Sequence, residues 1–365
     1  MRIGIDGRAL SGHRTGIGRY AYELCKGLDR ELPEAAFFVY CQAPLDIPEF
    51  SSRWTFRVDD FPLAAGLKPV IWLKLRCGRL CARDHLDVFW GAASFLPALP
   101  DTVKTIVTVY DLNFLIVPET MSATHRWSFR LFFGRDIARA DSVTAISQGT
   151  SGRLLERFGR STDAIVCPAV SDSFRRPSGE IIKAVLAKYS LAHPYLLAVA
   201  TWEPRKNLAM LIRTFNGMKA GGELAAIDLV LVGGKGWKYR EMNALVTGSR
   251  SVILTGYVSD DDLPALYAGA EAFVFPSVYE GFGIPVLEAR ACETRVVASD
   301  IPELREAGDE DTIYVEPAAA AIREGILTAL SGPKPVGKGR DKRLPSWQGS
   351  ARILASSITR LLQKQ

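Results

Sequence analysis

A chain of 365 residues, 48% of them hydrophobic and 23% charged, has material for two domain cores and too balanced a composition for disorder. Its net charge of +5 is too mild to imply a nucleic-acid partner and suits anionic small ligands or a membrane surface. No apolar run is long enough to cross a bilayer, and Met1-Arg2-Ile3-Gly4-Ile5-Asp6 reads as a strand rather than a leader, so a cytoplasmic or peripheral protein is expected.

Residues 2–6 predict the first strand, and 19–31 carry helical periodicity. Short strands follow at 37–40, 88–89, 105–110 and 142–145, with helical stretches between them. This alternation predicts a parallel sheet with helices on both faces. The stretch 68–83 reads as a basic amphipathic helix. Val70, Leu73, Cys77 and Leu80 share one face, and Arg76, Arg79 and Arg83 a neighbouring one. Such a helix suits an anionic membrane surface as well as an ordinary domain. Six cysteines, at 25, 41, 77, 81, 167 and 292, scatter through apolar surroundings as reduced thiols do. Cys77, Cys81 and His85 have ligand-like spacing but lack a fourth partner, so no zinc is expected.

Between 167 and 180 the pattern breaks into a loop marked by Pro168, Pro177 and Gly179. Strands resume at 195–200, 229–232, 251–255, 272–275 and 295–298, with helices such as 207–219 and 263–270 between them. A basic connection at 332–345 leads to a last amphipathic helix at 347–363. The fold class is therefore α/β, with Rossmann-like domains at 1–170 and 171–346. In doubly wound sheets ligands bind beyond the C-terminal strand ends, so polar residues just after strands are the candidates.

Four stretches qualify. Arg14-Thr15-Gly16-Ile17-Gly18-Arg19 follows the first strand and opens a helix, where glycine backbone can approach a phosphate. It lacks the third glycine and downstream acid of a dinucleotide fingerprint. Glu203-Pro204-Arg205-Lys206-Asn207 sets two cations where a helix begins, as a diphosphate requires. Gly233-Gly234-Lys235-Gly236-Trp237 ends another strand and reads as a nucleotide-lining turn or a plain one. The fourth, Glu280-Gly281-Phe282-Gly283-Ile284-Pro285-Val286-Leu287-Glu288, holds two glutamates eight positions apart around a helix start, with Pro285 at the first helical position. Its carboxylates can grip sugar hydroxyls while its open amides take phosphate. Asp260-Asp261-Asp262 looks like a metal-binding run but precedes Leu263-Pro264, so helix capping explains it better.

The run from Glu280 to Glu288 resembles the Glu-x7-Glu element of retaining glycosyltransferases of family 4, which have the GT-B fold. Thr15-Gly16-Ile17-Gly18-Arg19-Tyr20, Glu203 to Asn207, Gly256-Tyr257-Val258-Ser259-Asp260 and Ser346-Trp347-Gln348-Gly349 match the same family in the same order. The resemblance implies two Rossmann-like domains facing a central cleft, with the closing helix, 347–365, crossing back onto the N-terminal acceptor domain. It also implies a hexosyltransferase that retains anomeric configuration. Arg205 and Lys206 would hold the donor diphosphate and Glu280 the transferred sugar. Gly281, Phe282, Gly283 and Ile284 would offer amides near it, and Glu288 would bind the ribose. Tyr257 and Val258 would frame the base, and Gly16 and Gly18 would close on the phosphates from the other domain. Asp111 is the candidate for orienting acceptor or donor sugar. Arg205, Lys206, Glu280 and Asp111 form the catalytic set.

The chain departs from the family pattern at Tyr110, where a histidine often precedes the aspartate, and at Glu293 and Arg295, where glycine and proline are usual. A tyrosine at 110 can still donate to a sugar hydroxyl; the other changes remove a preferred turn. The overall likeness is to mannosyl- and rhamnosyltransferases of bacterial surface polysaccharides. The expected donor is a nucleotide-diphosphate sugar, GDP-linked by preference, with no metal or other cofactor. The expected acceptor is a glycan or lipid-linked glycan, with an anionic membrane surface met through 68–83 on the cytoplasmic side. The competing readings are a non-catalytic nucleotide-sugar-binding subunit and a GT-B enzyme such as an epimerase. The latter needs cleft histidines, and the chain has four, at 13, 85, 125 and 193.

Overall fold

The computed structural model describes all residues except 12–15, 49, 235, 237–239, 333–343 and 364–365. The chain divides into two compact units, one of residues 1–114, 123–168 and 345–365, the other of 115–122 and 169–344.

The first unit begins with β1 (Arg2–Asp6) and α1 (Ile17–Glu31), then β2 (Ala36–Cys41) and β3 (Trp54–Val58). A helical segment follows from α2 (Pro69–Trp72) through a π turn (Leu73–Cys77) into α3 (Gly78–Cys81). Next come β4 (Val88–Gly91), β5 (Lys104–Val109) and α4 (Asn113–Ile116). A second π-bulged helical segment joins α5 (Ala123–Ser128), a π turn (Phe129–Phe133) and α6 (Gly134–Arg139). β6 (Ser142–Ala145), α7 (Gln148–Phe158) and β7 (Ala164–Ile165) complete the sheet. All strands are parallel, in the order β3-β2-β1-β4-β5-β6-β7. The central strands read as continuous apolar runs because helices cover both faces.

The second unit repeats the plan. Its elements are α8 (Gly179–Lys188), β8 (Tyr195–Val199), α9 (Leu208–Ala220), β9 (Asp228–Val232), α10 (Arg240–Thr247), β10 (Val252–Gly256) and α11 (Leu263–Gly269). β11 (Ala272–Phe275), α12 (Ile284–Ala291), β12 (Val296–Ser299), α13 (Pro302–Ala307), β13 (Ile313–Val315) and α14 (Ala319–Ser331) follow. The parallel order β10-β9-β8-β11-β12-β13 reverses direction between β8 and β11. That reversal is the switch point where doubly wound sheets open a crevice for ligands.

The last helix, α15 (Trp347–Gln363), returns to the first unit and packs along α1. Contact is close enough that a Cβ on Gly27 would fall 2.2 Å from that of Ala351. The Tyr20 ring meets Trp347 edge-on at 6.0 Å, and the Ser350 hydroxyl donates to the Cys167 carbonyl at 2.6 Å. Strands β3, β7 and β13 are absent from the sequence reading. β7 has two residues, and past Trp54 β3 is half-buried or exposed, so neither shows the apolar run expected of a buried strand.

The segment 69–81 is a domain helix on its apolar side, with Trp72, Leu73, Cys77, Leu80 and Cys81 buried. Its cations divide. Arg76 is withdrawn into a bidentate pair with the buried Asp59, at 2.8 and 3.0 Å, and stacks on Phe61, whereas Arg79 and Arg83 are exposed. The six cysteines are free, and five are buried; Sγ of Cys77 and Cys81 lie 3.9 Å apart.

Candidate functional site

The two strands at the switch point of the second sheet each end in a polar loop. After β8 the chain forms a single 3-10 turn, Pro204–Lys206. Asn207 then takes a left-handed conformation (φ 56°), which asparagine tolerates, and its amide donates to the Pro317 carbonyl at 3.1 Å. The helix therefore starts at Leu208, beyond the two cations. After β11 a loop runs to Gly283, and α12 begins. The Val278 amide donates to the Arg205 carbonyl at 2.9 Å and ties the two loops together.

Glu280 is the centre of the cluster. Its carboxylate accepts Nη1 of Arg205 at 2.8 Å on one oxygen and Nζ of Lys206 at 2.5 Å on the other. Glu203 takes Nε of Arg205 at 3.0 Å, and the Lys206 ammonium lies 5.1 Å from the Phe275 ring centroid. All four charged side chains are largely buried. Burial alone would raise the Glu280 pKa, but the charges of Lys206 and Arg205 outweigh it and hold the carboxyl at about 2. The two partners respond differently: burial and repulsion from Arg205 push Lys206 down despite Glu280. The carboxylate draws on two cations, whereas the ammonium shares one carboxylate with a second cation. An added anion would therefore relieve Lys206.

The rest of the fourth motif continues from this cluster. Gly283 is left-handed (φ 115°), and a Cβ there would fall 2.5 Å from Cδ2 of Leu304. Only glycine fits, so the turn into α12 is fixed by the sequence. Pro285 occupies the second helical position rather than the first, because Ile284 opens the helix. Glu288 follows one turn later, buried, and accepts the Tyr267 hydroxyl of α11 at 3.0 Å. Phe282 is buried, while Gly281 and Ile284 are half-buried. Tyr257 and Val258 directly follow β10, two strands from β8. The Tyr257 side chain is 76% exposed and that of Val258 is buried.

The Gly-rich stretch after β9 has a packing cause. Gly233 (φ 132°) passes so near β8 that a Cβ would meet the Ala200 carbonyl at 2.1 Å. Lys235 and Trp237 lie outside the described residues, as do Arg14 and Thr15 of the first motif. Gly16 caps α1 with φ 52°, and Gly18 is buried in its first turn. Asp111, half-buried after β5, accepts the Asn113 amide at 3.0 Å. The Tyr110 side chain, able in principle to donate to a sugar hydroxyl, is engaged within the first unit. Its buried hydroxyl donates to the Ala92 carbonyl at 2.6 Å. The capping reading of Asp262 is corrected. Asp262 stands at the cap position of α11, but its carboxylate accepts Nζ of Lys188 at 2.6 Å and the Tyr189 hydroxyl at 2.9 Å instead.

The structure thus joins Arg205, Lys206 and Glu280 directly and continues them into Gly281–Gly283 and Glu288. Glu203 and Tyr267, which hold Arg205 and Glu288, escaped the sequence reading. Glu203 lies two residues before Arg205 in the second motif, and that spacing is the available signal. Tyr267 had none, since its partner is 21 residues away. Asp6 and Arg8 were also missed. Asp6 is fully buried at the end of β1 and accepts Arg8 through two bonds, at 2.9 and 2.5 Å.

Residues 193–332 match the sequence profile of the glycosyl transferases group 1. The O-antigen chain mannosyltransferase B of Escherichia coli is 31% identical over 335 residues, which cover 87% of either chain. The GDP-mannose-dependent alpha-(1-6)-phosphatidylinositol monomannoside mannosyltransferase of Mycolicibacterium smegmatis is 26% identical over 83% of this chain and 84% of its own. Among solved structures, the sucrose-phosphate synthase of Thermosynechococcus elongatus superimposes on 100% of this chain and 94% of its own, with a TM-score of 0.70. At 18% identity that likeness concerns the fold alone.

Proposed function

The chain belongs to the group 1 glycosyltransferases and has their GT-B fold, and from that premise we propose that it moves a mannosyl or mannose-derived deoxysugar residue from a GDP-linked donor, with retention, onto a glycan or lipid-linked glycan acceptor of a surface polysaccharide. The observation that carries the donor site is the buried cluster of Arg205, Lys206 and Glu280 at the switch point. The mannosyl reading is supported by the names of the relatives, and GDP by the Mycolicibacterium smegmatis enzyme.

In this reading the donor diphosphate takes the guanidinium of Arg205 and the ammonium of Lys206. Glu280 then turns part of its hydrogen-bonding capacity to the sugar hydroxyls. Amides of Gly281 to Ile284 face the phosphates, Glu288 receives the ribose, and the exposed Tyr257 ring offers a stacking surface to the base beside Val258. The C1–O bond to the diphosphate breaks on the face where the acceptor oxygen bonds to C1, and the acceptor proton passes to the departing phosphate oxygen. One fixed donor at the growing charge contributes about 3–4 kcal/mol to such a step. No metal has a part, since the two cations do the neutralising. The work is done at the cytoplasmic face of the inner membrane.

A thermal-shift panel of GDP, UDP, dTDP and ADP, each with a chelator and again with Mg²⁺, tests this. GDP alone stabilises the protein, by about 2.7 kcal/mol at a hundredfold excess over its Kd, and equally in both conditions. A larger shift with another nucleotide overturns the GDP reading, and a shift that requires Mg²⁺ overturns the metal-free one.

A further inference from the structure

Glu288 is held in place by a residue on another helix. It stands one turn into α12 and is buried, and its Oε2 accepts the Tyr267 hydroxyl of α11 at 3.0 Å. Tyr267 is itself fully buried, with its ring edge-on to Phe273 of β11 at 5.3 Å and 6.3 Å from that of Phe174. The helix that carries it is anchored at several points. The Asp262 carboxylate at its start accepts Lys188 and Tyr189, and the Tyr195 hydroxyl of β8 donates to the Leu266 carbonyl at 2.7 Å. The helix also follows closely on Tyr257 and Val258, since the Leu263 amide donates to the Ser259 carbonyl at 3.0 Å. One seven-residue helix thus connects the loop after β10 with the carboxylate of Glu288.

We infer that Tyr267 is a positioning residue for the nucleotide ribose: its hydroxyl fixes the Glu288 carboxylate where it accepts a ribose hydroxyl, and so gives the site its preference for a nucleotide with an intact ribose. The inference rests on the ribose reading of Glu288 and deepens it. A glutamate side chain turns about several bonds, and a ligand contact made by a loose one loses the freedom that must be given up on binding. Tyr267, immobile through its own packing, removes that freedom before the nucleotide arrives. An ionised carboxylate has about four acceptor sites, so it takes a ribose hydroxyl while it keeps the phenol. Tyr267 has no exposed surface, and it acts through Glu288 rather than on the nucleotide.

Calorimetric titration with GDP and with its 2′,3′-dideoxy analogue tests it, the readout being the ratio of the two affinities. Wild type favours GDP, and Glu288→Gln lowers that preference. Tyr267→Phe keeps the ring and lowers the preference by roughly tenfold, as loss of one hydrogen bond to a charged group does, while affinity for the dideoxy analogue holds. Added to Glu288→Gln, it lowers the preference no further. Tyr195→Phe removes an equally buried hydroxyl bound to the same helix but not to Glu288, so it lowers Tm and leaves the preference intact. Circular-dichroism melting confirms that each variant folds. A preference that survives Tyr267→Phe but not Glu288→Gln overturns the inference and leaves the donor site standing. An equal loss in Tyr195→Phe overturns it too, because the packing of α11 then accounts for the effect. A preference that survives Glu288→Gln, or no GDP binding by wild type, removes the ribose reading and the inference with it.

Discussion

Glu280 keeps its negative charge in a buried place because two cations touch it, and this makes the residue a stability determinant as well as a candidate sugar ligand. Its folded pKa, about 2, lies below the ordinary glutamate value of about 4.3. The stabilisation is therefore complete above the unfolded value and fades as pH falls through about 2. Removing the charge leaves Arg205 and Lys206 buried without it, which costs about 3 kcal/mol at neutral pH. Urea unfolding of Glu280→Gln at a series of pH values checks this. The deficit is full near pH 7 and shrinks below about pH 4, as the wild-type carboxylate becomes harder to keep ionised. A deficit constant across the acid range would deny the ion cluster its place in the folded state. The charged members were legible as residue types in a Gly-Pro setting; their mutual pairing was not, because 74 and 75 residues separate the partners.

At the scale of the element, α12 shows what the family departures do. The helix ends at Ala291, and Glu293 takes the left-handed position after it (φ 56°). The Thr294 amide donates to the Ala289 carbonyl at 2.9 Å, and that of Glu293 to Arg290 at 3.0 Å, which closes a Schellman turn. The turn that the missing glycine suggested was lost is thus formed, with a strained glutamate in its place. Arg295, where proline is usual, binds the Gly332 carbonyl at 3.0 Å. Glu293→Gly should stabilise the protein by about 1 kcal/mol and raise Tm by a few degrees. Calorimetric melting of the two proteins measures it, and an unchanged or lower Tm would mean that the carboxylate makes a contact worth the strain. Buried strands such as β11 were legible because both faces are apolar. β3 and β13 were not, since they lie at sheet edges where exposure breaks the run.

The molecule as a whole is two parallel sheets of related order and a last helix that returns to the first of them. Periodicity in the sequence carried the alternation and the span of α15. Strand order came only with the structure, because no local pattern encodes which strands neighbour each other. That order decides the functional reading, since it sets the ends of β8 and β11 side by side and joins two motifs distant in sequence into one site. The most direct test is a calorimetric titration of GDP into wild type, into Arg205→Ala with Lys206→Ala, and into Glu288→Gln. The account predicts a loss of about a hundredfold or more for the double variant, two charge-assisted contacts being removed, and a smaller loss for the ribose partner. GDP affinity within twofold of wild type in both variants would contradict it and remove the donor site from the second unit's switch point.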